Sequence, residues 1–236
     1  MKLILLSLIF GVALADPQVF ESGNARADII ELYTSEGCSS CPPADDWLNT
    51  LTEHPDLFTN VIPLAFHVDY WNWLGWQDAF SQQKFSQRQY QHVKQRNLSQ
   101  AYTPALIVNN QEWRAWFTGD RSWPASQSTA PSLTLTVNTK DDIEVKFNSS
   151  ETMTVYVALL GMGITSKIGN GENRGRTLEH NFVVLNLQNQ NGASSWRFDR
   201  SLLETNVMST RLALVAWVSE PSKVSIIQAS GGFLTD

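Results

Sequence analysis

The chain has few cysteines and little charge. Cysteine occurs twice in 236 residues, charged residues make up 17%, and 17 basic side chains stand against 23 acidic ones for a net charge of −6. That balance argues against nucleic acid or an anionic membrane as partner, since both attract clustered lysine and arginine. Long apolar runs are also missing beyond the first fifteen residues. No later stretch approaches the ~20 uncharged residues that a spanning helix needs, so no integral membrane segment is expected in the mature chain. There is no internal repeat, coiled coil or low-complexity tract.

The one apolar run lies at the start. Met1-Lys2 precedes an uncharged stretch from Leu3 that ends in Ala13-Leu14-Ala15. One basic residue, a short apolar segment and small residues at its end form the pattern of a secretory signal peptide. The expectation is an exported, periplasmic or secreted protein whose mature form starts near Asp16. Loss of Lys2 moves the net charge of −6 by one, to about −7. Export places the two thiols in an oxidising compartment.

Cys38 and Cys41 stand two residues apart in Glu36-Gly37-Cys38-Ser39-Ser40-Cys41-Pro42-Pro43, just after the strand-like run Asp28 to Tyr33. Thiols at this spacing exchange between dithiol and disulfide with little backbone movement, so a redox role is the first expectation. A structural disulfide is the alternative. Closing a loop of about four residues stabilises a fold by only roughly 2 kcal/mol, against nearly 5 for a hundred-residue loop. A mature chain of this length also buries enough surface to fold without a staple.

Along the chain, strand-like and helical stretches alternate up to about residue 122. Residues 29–33 and 61–67 read as strands, 44–57 as a helix and 77–96 as one or two helices. Residues 105–108 and 113–117 read as a hairpin joined through Asn109-Asn110-Gln111-Glu112. This order belongs to the α/β class. A Ser/Pro-containing linker is expected at 123–131. Beyond it apolar and polar residues alternate, as in Leu133 to Val137 and Ile143 to Phe147. Some seven short strands of this kind predict a sandwich-like, mostly β domain over 132–236.

Three separated features of the first half resemble the thioredoxin superfamily: the C-x-x-C after a core strand, a central strand after it, and Tyr102-Thr103-Pro104 leading into Ala105 to Glu112. A narrower resemblance is carried by Glu36 to Asp45, Ala65 to Trp71 with Leu74-Gly75-Trp76, Tyr102-Thr103-Pro104, and Gly171 to Leu178. By these motifs the chain is identified as a member of the DUF1223 family, exported bacterial proteins with a thioredoxin-like domain and no established function. The resemblance implies a thioredoxin-like domain over 16–122, with a cis-proline at Pro104 facing the cysteines. It also implies that Cys38 is the attacking thiol, that Cys41 is the resolving thiol, and that the two form a redox-active disulfide.

His67 and Asp69 follow the strand 61–67. The carboxyl ends of strands gather at the ligand crevice of an open α/β sheet, which makes either residue a candidate proton acceptor for the resolving thiol; His67 can equally serve only to order the following loop. Pro42 and Pro43 place the helix start near Pro43. Tyr70, Trp71, Trp73, Trp76 and Phe80 form an aromatic loop that either lines a groove for a polypeptide or apolar ligand or packs as a small core. The segment 169–176 lacks the Lys-Ser/Thr of a phosphate-binding loop and is expected to dock the second half onto the first, to bind a carboxylate near the cleft, or to stay solvated.

Three functions follow. The first is an exported thiol-disulfide oxidoreductase acting on protein thiols or disulfides, with Cys38, Cys41, Pro104, His67 and Asp69 at its site and no cofactor. The second is a Cu(I)-binding or copper-delivery protein using Cys38, Cys41 and His67, because two thiolates and an imidazole make a soft donor set. The third is a non-enzymatic adaptor with an inert disulfide. The sequence leaves the direction of electron flow and the oligomeric state open.

Overall fold

The structure, a computed structural model, describes residues 16–138 and 142–235. The signal-peptide expectation for 1–15 lies outside them. In the first part of the chain are β1 (Gln18–Glu21), β2 (Asp28–Thr34), α1 (Pro42–Asn49), β3 (Val61–His67), α2 (Gln83–Lys94), β4 (Ala105–Val108) and β5 (Gln111–Glu112). Then come β6 (Leu133–Val137), β7 (Asp142–Phe147), β8 (Met153–Met162), β9 (Ile164–Lys167) and β10 (Thr177–His180). The last strands are β11 (Val183–Gly192), β12 (Ser195–Asp199), β13 (Arg211–Ser219) and β14 (Ile226–Phe233).

The expectation of an α/β thioredoxin-like domain followed by a mostly β domain is corrected by this arrangement. The chain is mostly β, with α-helices of only 8 and 12 residues among the described residues. Strands β2 to β5 form no separate α/β layer. They continue an eight-stranded sheet of order β14-β13-β8-β11-β3-β2-β4-β5 that draws on both halves of the chain. A four-stranded sheet, β1-β6-β7-β12, packs against it, and β9 and β10 form a two-stranded ribbon.

The junction between the halves is a short parallel ladder. Val183 of β11 pairs with Ala65 of β3, and the Ala65 N–H donates to the Phe182 carbonyl at 2.9 Å. Pro63 lies two residues earlier on the same strand side and has no N–H to extend the ladder.

Strands β8 and β13 are buried on both faces. Their alternating side chains divide between two cores. Ala158, Leu160, Met162, Ala213, Val215 and Trp217 join the core beneath β2, β3 and β4. Val155, Val157, Leu159, Leu214, Ala216 and Val218 meet Leu133, Leu135, Ile143, Val145, Trp196 and Phe198 of the four-stranded sheet. A strand covered on both sides needs apolar residues at successive positions, which explains the near-continuous runs VYVALL and LALVAWV.

Two local expectations also change. The helix read over 44–57 is α1, which starts at Pro42 and passes into a 3₁₀ turn at Thr50–Glu53. The hairpin after Pro104 turns tightly at Asn109 and Asn110, with φ of 51° and 68°, the left-handed pair that a two-residue turn requires. Its second strand is therefore Gln111–Glu112. Residues 113–117, expected as a strand, instead lead into a 3₁₀ helix, Arg114–Thr118. Trp113 and Trp116 are both buried there, the i, i+3 spacing that a 3₁₀ turn places on one face.

One polar cluster crosses the main core. Arg88 of α2 donates from Nε and Nη2 to the Glu31 carboxylate at 2.8 and 3.0 Å, and from Nη2 to the Val224 carbonyl at 3.2 Å. Tyr33 Oη donates to Glu31 Oε2 at 2.9 Å, and His92 Nε2 lies 3.2 Å from the same oxygen. The guanidinium is sandwiched among Phe66, Tyr156 and Trp217 at 5.4–5.7 Å. Burial alone would raise the Glu31 pKa, but Arg88 and His92 overcome it and hold the carboxyl well below the usual range. Among the described residues no helix is long and apolar enough to cross a membrane.

Candidate functional site

Strand β2 ends at Thr34, and the chain turns through Ser35, Glu36 and Gly37 to reach Cys38. Cys38 and Cys41 are joined in a disulfide with Cα atoms 5.4 Å apart. The Cys41 N–H donates to the Cys38 carbonyl at 3.2 Å, and Cys41 caps α1 with right-handed helical φ and ψ of −76° and −39°. The helix thus begins at Pro42, one residue before the position expected. Pro42 at the first helical position loses nothing, because its N–H would have no partner there. Both cysteines are 0% exposed, while the intervening Ser39 and Ser40 are open to solvent.

Around the end of β2 and the start of α1 lies a buried cluster of ionisable groups drawn from four parts of the chain. Asp45 sits one helical turn after Cys41, and its N–H donates to the Cys41 carbonyl at 3.2 Å. Its carboxylate accepts the Thr34 hydroxyl at 2.9 Å. Burial is the main cause that pushes the Asp45 carboxyl up to about 6, opposed by His180, His67 and the Thr34 hydrogen bond and aided by Asp78. His67, at the end of β3, places Nδ1 2.7 Å from Asp78 Oδ2. Burial works to lower the His67 pKa, but Asp78 prevails and raises it. Burial likewise works to raise Asp78, and it is overcome by His67 together with the N–H groups of Glu36 and Phe80, so that its pKa falls.

His180 closes the cluster from β10. Its ring lies 5.2 Å from the His67 ring, and its Nε2 is 3.4 Å from Glu36 Oε1 without hydrogen-bond geometry. Trp76 Nε1 donates to the other Glu36 oxygen at 2.7 Å. Glu36 Oε1, His67 Nε2 and both ring nitrogens of His180 have no hydrogen-bond partner although buried. Native interiors leave few such atoms unpaired, so this concentration sets the cluster apart from the rest of the core.

The site residues expected from sequence therefore separate. Cys38 and Cys41 are bonded to each other. Pro104, whose bond to Thr103 is cis, lines a cavity of about 480 Å³ together with Ser40, Pro43, Tyr102, Trp116 and Phe117. His67 belongs to the buried cluster. Asp69 accepts the Ser86 hydroxyl of α2, and its own N–H donates to Ser86 Oγ at 3.1 Å. The sulfurs of Cys38 and Cys41 are committed to each other, and among the described residues no three His, Cys, Asp or Glu side chains are placed to hold a metal ion.

The aromatic loop is largely anchored. Trp71 Nε1 donates to Thr103 Oγ1 at 2.7 Å, Tyr70 Oη to Gln89 Oε1 at 3.1 Å, and Phe80 is buried. Only Trp73 projects, 79% exposed. The segment 169–176 docks on the cysteine loop. The Ser39 N–H donates to the Glu172 carboxylate at 3.1 Å, and the Asn173 side-chain amide donates to the carbonyls of Glu36 and Cys38 at 2.8 and 2.9 Å.

Sequence reasoning missed Asp45, Asp78 and His180. Asp45 closes the motif that begins at Glu36, and its i+4 spacing from Cys41 was the available signal. His180 sits in an alternating strand, where nothing marks which face it takes.

Among curated proteins none matches this chain. Two solved structures share its fold. One is the X-ray structure of protein AGR_C_4864 from Agrobacterium tumefaciens, with a TM-score of 0.62 and 22% identity, covering 89% of this chain and 95% of that one. The other is HBP35 of Porphyromonas gingivalis, with a TM-score of 0.58 and 15% identity, covering 90% of this chain and 76% of that one. The family model described as a protein of unknown function, DUF1223, matches residues 29–219. The cysteine loop, the buried cluster and the docked segment all fall within that span, and the chain belongs to the DUF1223 family.

Proposed function

We propose that this protein is an exported thiol-disulfide oxidoreductase whose oxidised Cys38–Cys41 pair accepts electrons from protein dithiols. The observation that supports this reading most strongly is Asp45, a buried carboxyl held at about 6 one helical turn beyond Cys41, to whose carbonyl its N–H donates at 3.2 Å. An acid of that strength still carries a proton in an appreciable fraction of molecules near neutrality, as a general acid must.

In the proposed reaction a substrate thiolate attacks Cys38 Sγ. The Cys38–Cys41 bond breaks, and its electron pair leaves on Cys41 as thiolate. The Asp45 carboxyl passes its proton to that thiolate, which is the stronger base because an ordinary thiol has a pKa near 8.5. The resulting Asp45 carboxylate faces the imidazoles of His67 and His180. The second substrate thiolate then attacks the substrate sulfur of the mixed disulfide. The substrate disulfide is released, and Cys38 leaves as thiolate, to be protonated from solvent. The substrate loses two electrons and the protein gains them. His67, oriented by Asp78, stabilises charge around Asp45, and the cavity along Pro104 receives substrate side chains.

Two measurements test this. Cys41→Ser, with Cys38 first converted to its mixed disulfide with glutathione by oxidised glutathione, should exchange with client thiols, releasing glutathione and leaving the client disulfide-bonded to Cys38. The equilibrium potential of the pair in a glutathione or dithiothreitol series should lie above about −250 mV, among exchange-active dithiols. A value below about −300 mV together with an absence of trapped clients would instead support a structural disulfide.

A further inference from the structure

A thiol can attack Cys38 only if it reaches the sulfur, and both cysteines are completely buried. Part of the packing on the backbone of the cysteine loop comes from the second half of the chain. Asn173 is 1% exposed, and its two donated hydrogen bonds and the Glu172–Ser39 bond occupy the backbone groups of the cysteine loop at Glu36, Cys38 and Ser39. Gly171, with φ of +76°, carries the segment closely over Trp76, where an added Cβ would lie 3.2 Å from the Trp76 Cβ. Hydrogen bonding from Ser39 holds the exposed Glu172 carboxyl below its ordinary pKa, so it sits there as a carboxylate.

The pattern of donors and acceptors at this contact is informative. The Glu36 and Cys38 carbonyls converge on one amide nitrogen, Asn173 Nδ2, and the Ser39 N–H finds a carboxylate oxygen of Glu172. An extended polypeptide carries both kinds of group on its backbone, N–H donors for the two carbonyls and C=O acceptors for the Ser39 N–H. The cavity lined by Ser40, Pro43, Tyr102 and Pro104 opens beside the same loop, and it can take a side chain of a polypeptide lying there.

We propose that residues 169–176 are a tethered occupant of the substrate site, and that the substrate is an extended, cysteine-bearing polypeptide segment that replaces them. The inference rests on the thiol-exchange reading and names the substrate class for it. On release of Asn173 and Glu172, the substrate backbone donates to the Glu36 and Cys38 carbonyls and accepts from the Ser39 N–H. Its thiolate attacks Cys38 Sγ, the sulfur–sulfur bond breaks, and Cys41 departs as the thiolate that Asp45 protonates. Asn173 is thus a positioning residue that sets how often the disulfide is open.

The test follows reduction of the oxidised mature protein by dithiothreitol, read by thiol trapping. It adds an unstructured Gly/Ser-rich peptide whose single cysteine is replaced by serine, as a competitor that docks without reacting. Asn173→Ala removes two buried hydrogen bonds, and opening should rise about 30-fold, with the reduction rate rising in proportion. The peptide should then slow dithiothreitol saturably in Asn173→Ala and have no effect on the wild type at the same concentration. Glu172→Ala, on the surface, should show a smaller gain in rate with the fold intact by circular dichroism, and it serves if Asn173→Ala fails to fold.

An unchanged reduction rate in the folded variants would overturn the proposal. A faster rate with no protection by peptide would overturn the substrate assignment. Client trapping by Cys41→Ser is independent of both readouts, so failure of the redox reading is seen separately.

Discussion

Asp45→Asn is the perturbation that separates a working acid from a packing residue, because asparagine keeps the size of aspartate and can still accept the Thr34 hydroxyl. The Asp45 carboxyl is pushed from an ordinary 3.8 to about 6. Over that interval the folded protein holds a proton that the unfolded chain has released, so stability falls as pH rises from about 4 to about 6. Each pH unit of difference is worth about 1.4 kcal/mol, which puts the cost of Asp45 at neutral pH near 3 kcal/mol. Asparagine, which never ionises, removes that cost. Asp45→Asn should therefore leave stability nearly unchanged at pH 4 and raise it by about 2–3 kcal/mol at pH 7–8. For a chain of this size that is a rise in Tm of about 4–12 °C. Urea denaturation of oxidised wild type and variant at several pH values, with equal slopes, is the assay. The same variant should lose the pH dependence of thiol exchange near 6. An Asp45→Asn protein that is equally stable or less stable than wild type at every pH would refute the reasoning.

Two further outcomes follow from the buried charges. Arg88→Met leaves Glu31 inside the core without its guanidinium and should cost about 3–5 kcal/mol, measured by denaturation; Arg88→Met with Glu31→Gln should recover a large part of this, and a loss below about 1 kcal/mol would show that the pair contributes little. The raised His67 pKa gives stability that is present in full below its unfolded value near 6.5 and lost as pH rises through the higher folded value. His67→Gln should accordingly destabilise more at pH 5.5 than at pH 9, and an equal cost at both would remove the ion pair with Asp78 from the account.

The individual strands were legible where one periodicity dominates. Residues 61–67 match β3, and the alternating runs from Leu133 and Ile143 match β6 and β7. The pairing of β3 with β11 was not legible, because a strand's edges carry backbone groups common to every residue. The α/β reading failed there: alternation of elements along the first half gave no sign that its sheet continues into the second. Trp113 to Phe117 looked like a strand because its apolar residues are closely spaced, yet the buried pair Trp113 and Trp116 is set by a period of three.

At the site, the cysteine pair and His67 were visible by residue type and spacing. The link from Asp69 to α2, whose Ser86 hydroxyl its carboxylate accepts, carried no sequence signal. Asp78 and His180 reach the cluster through a loop and a ribbon whose routes are set by tertiary packing. Glu31 and Arg88 gave no signal either: a lone glutamate in an apolar strand and an arginine in a Gln-rich helix show their partnership only when strand and helix meet.

The single ladder contact between Ala65 and Val183 also bears on the order in which the molecule can be built. Until β11 arrives, β3 carries an unsatisfied edge, and an open edge of apolar strand invites pairing with other chains. Strand β1, first in the described chain, finds its partner only in β6, and Thr235 donates back to Gln18 at 3.2 Å. The first strand and the last described residues are thus assembled side by side. A nascent chain stopped near residue 131 would hold the cysteines and half a sheet, but not His180, Asn173 or the β11 edge. Shape and site are completed in the same late step, so an incomplete chain cannot carry the finished surroundings of the cysteine pair.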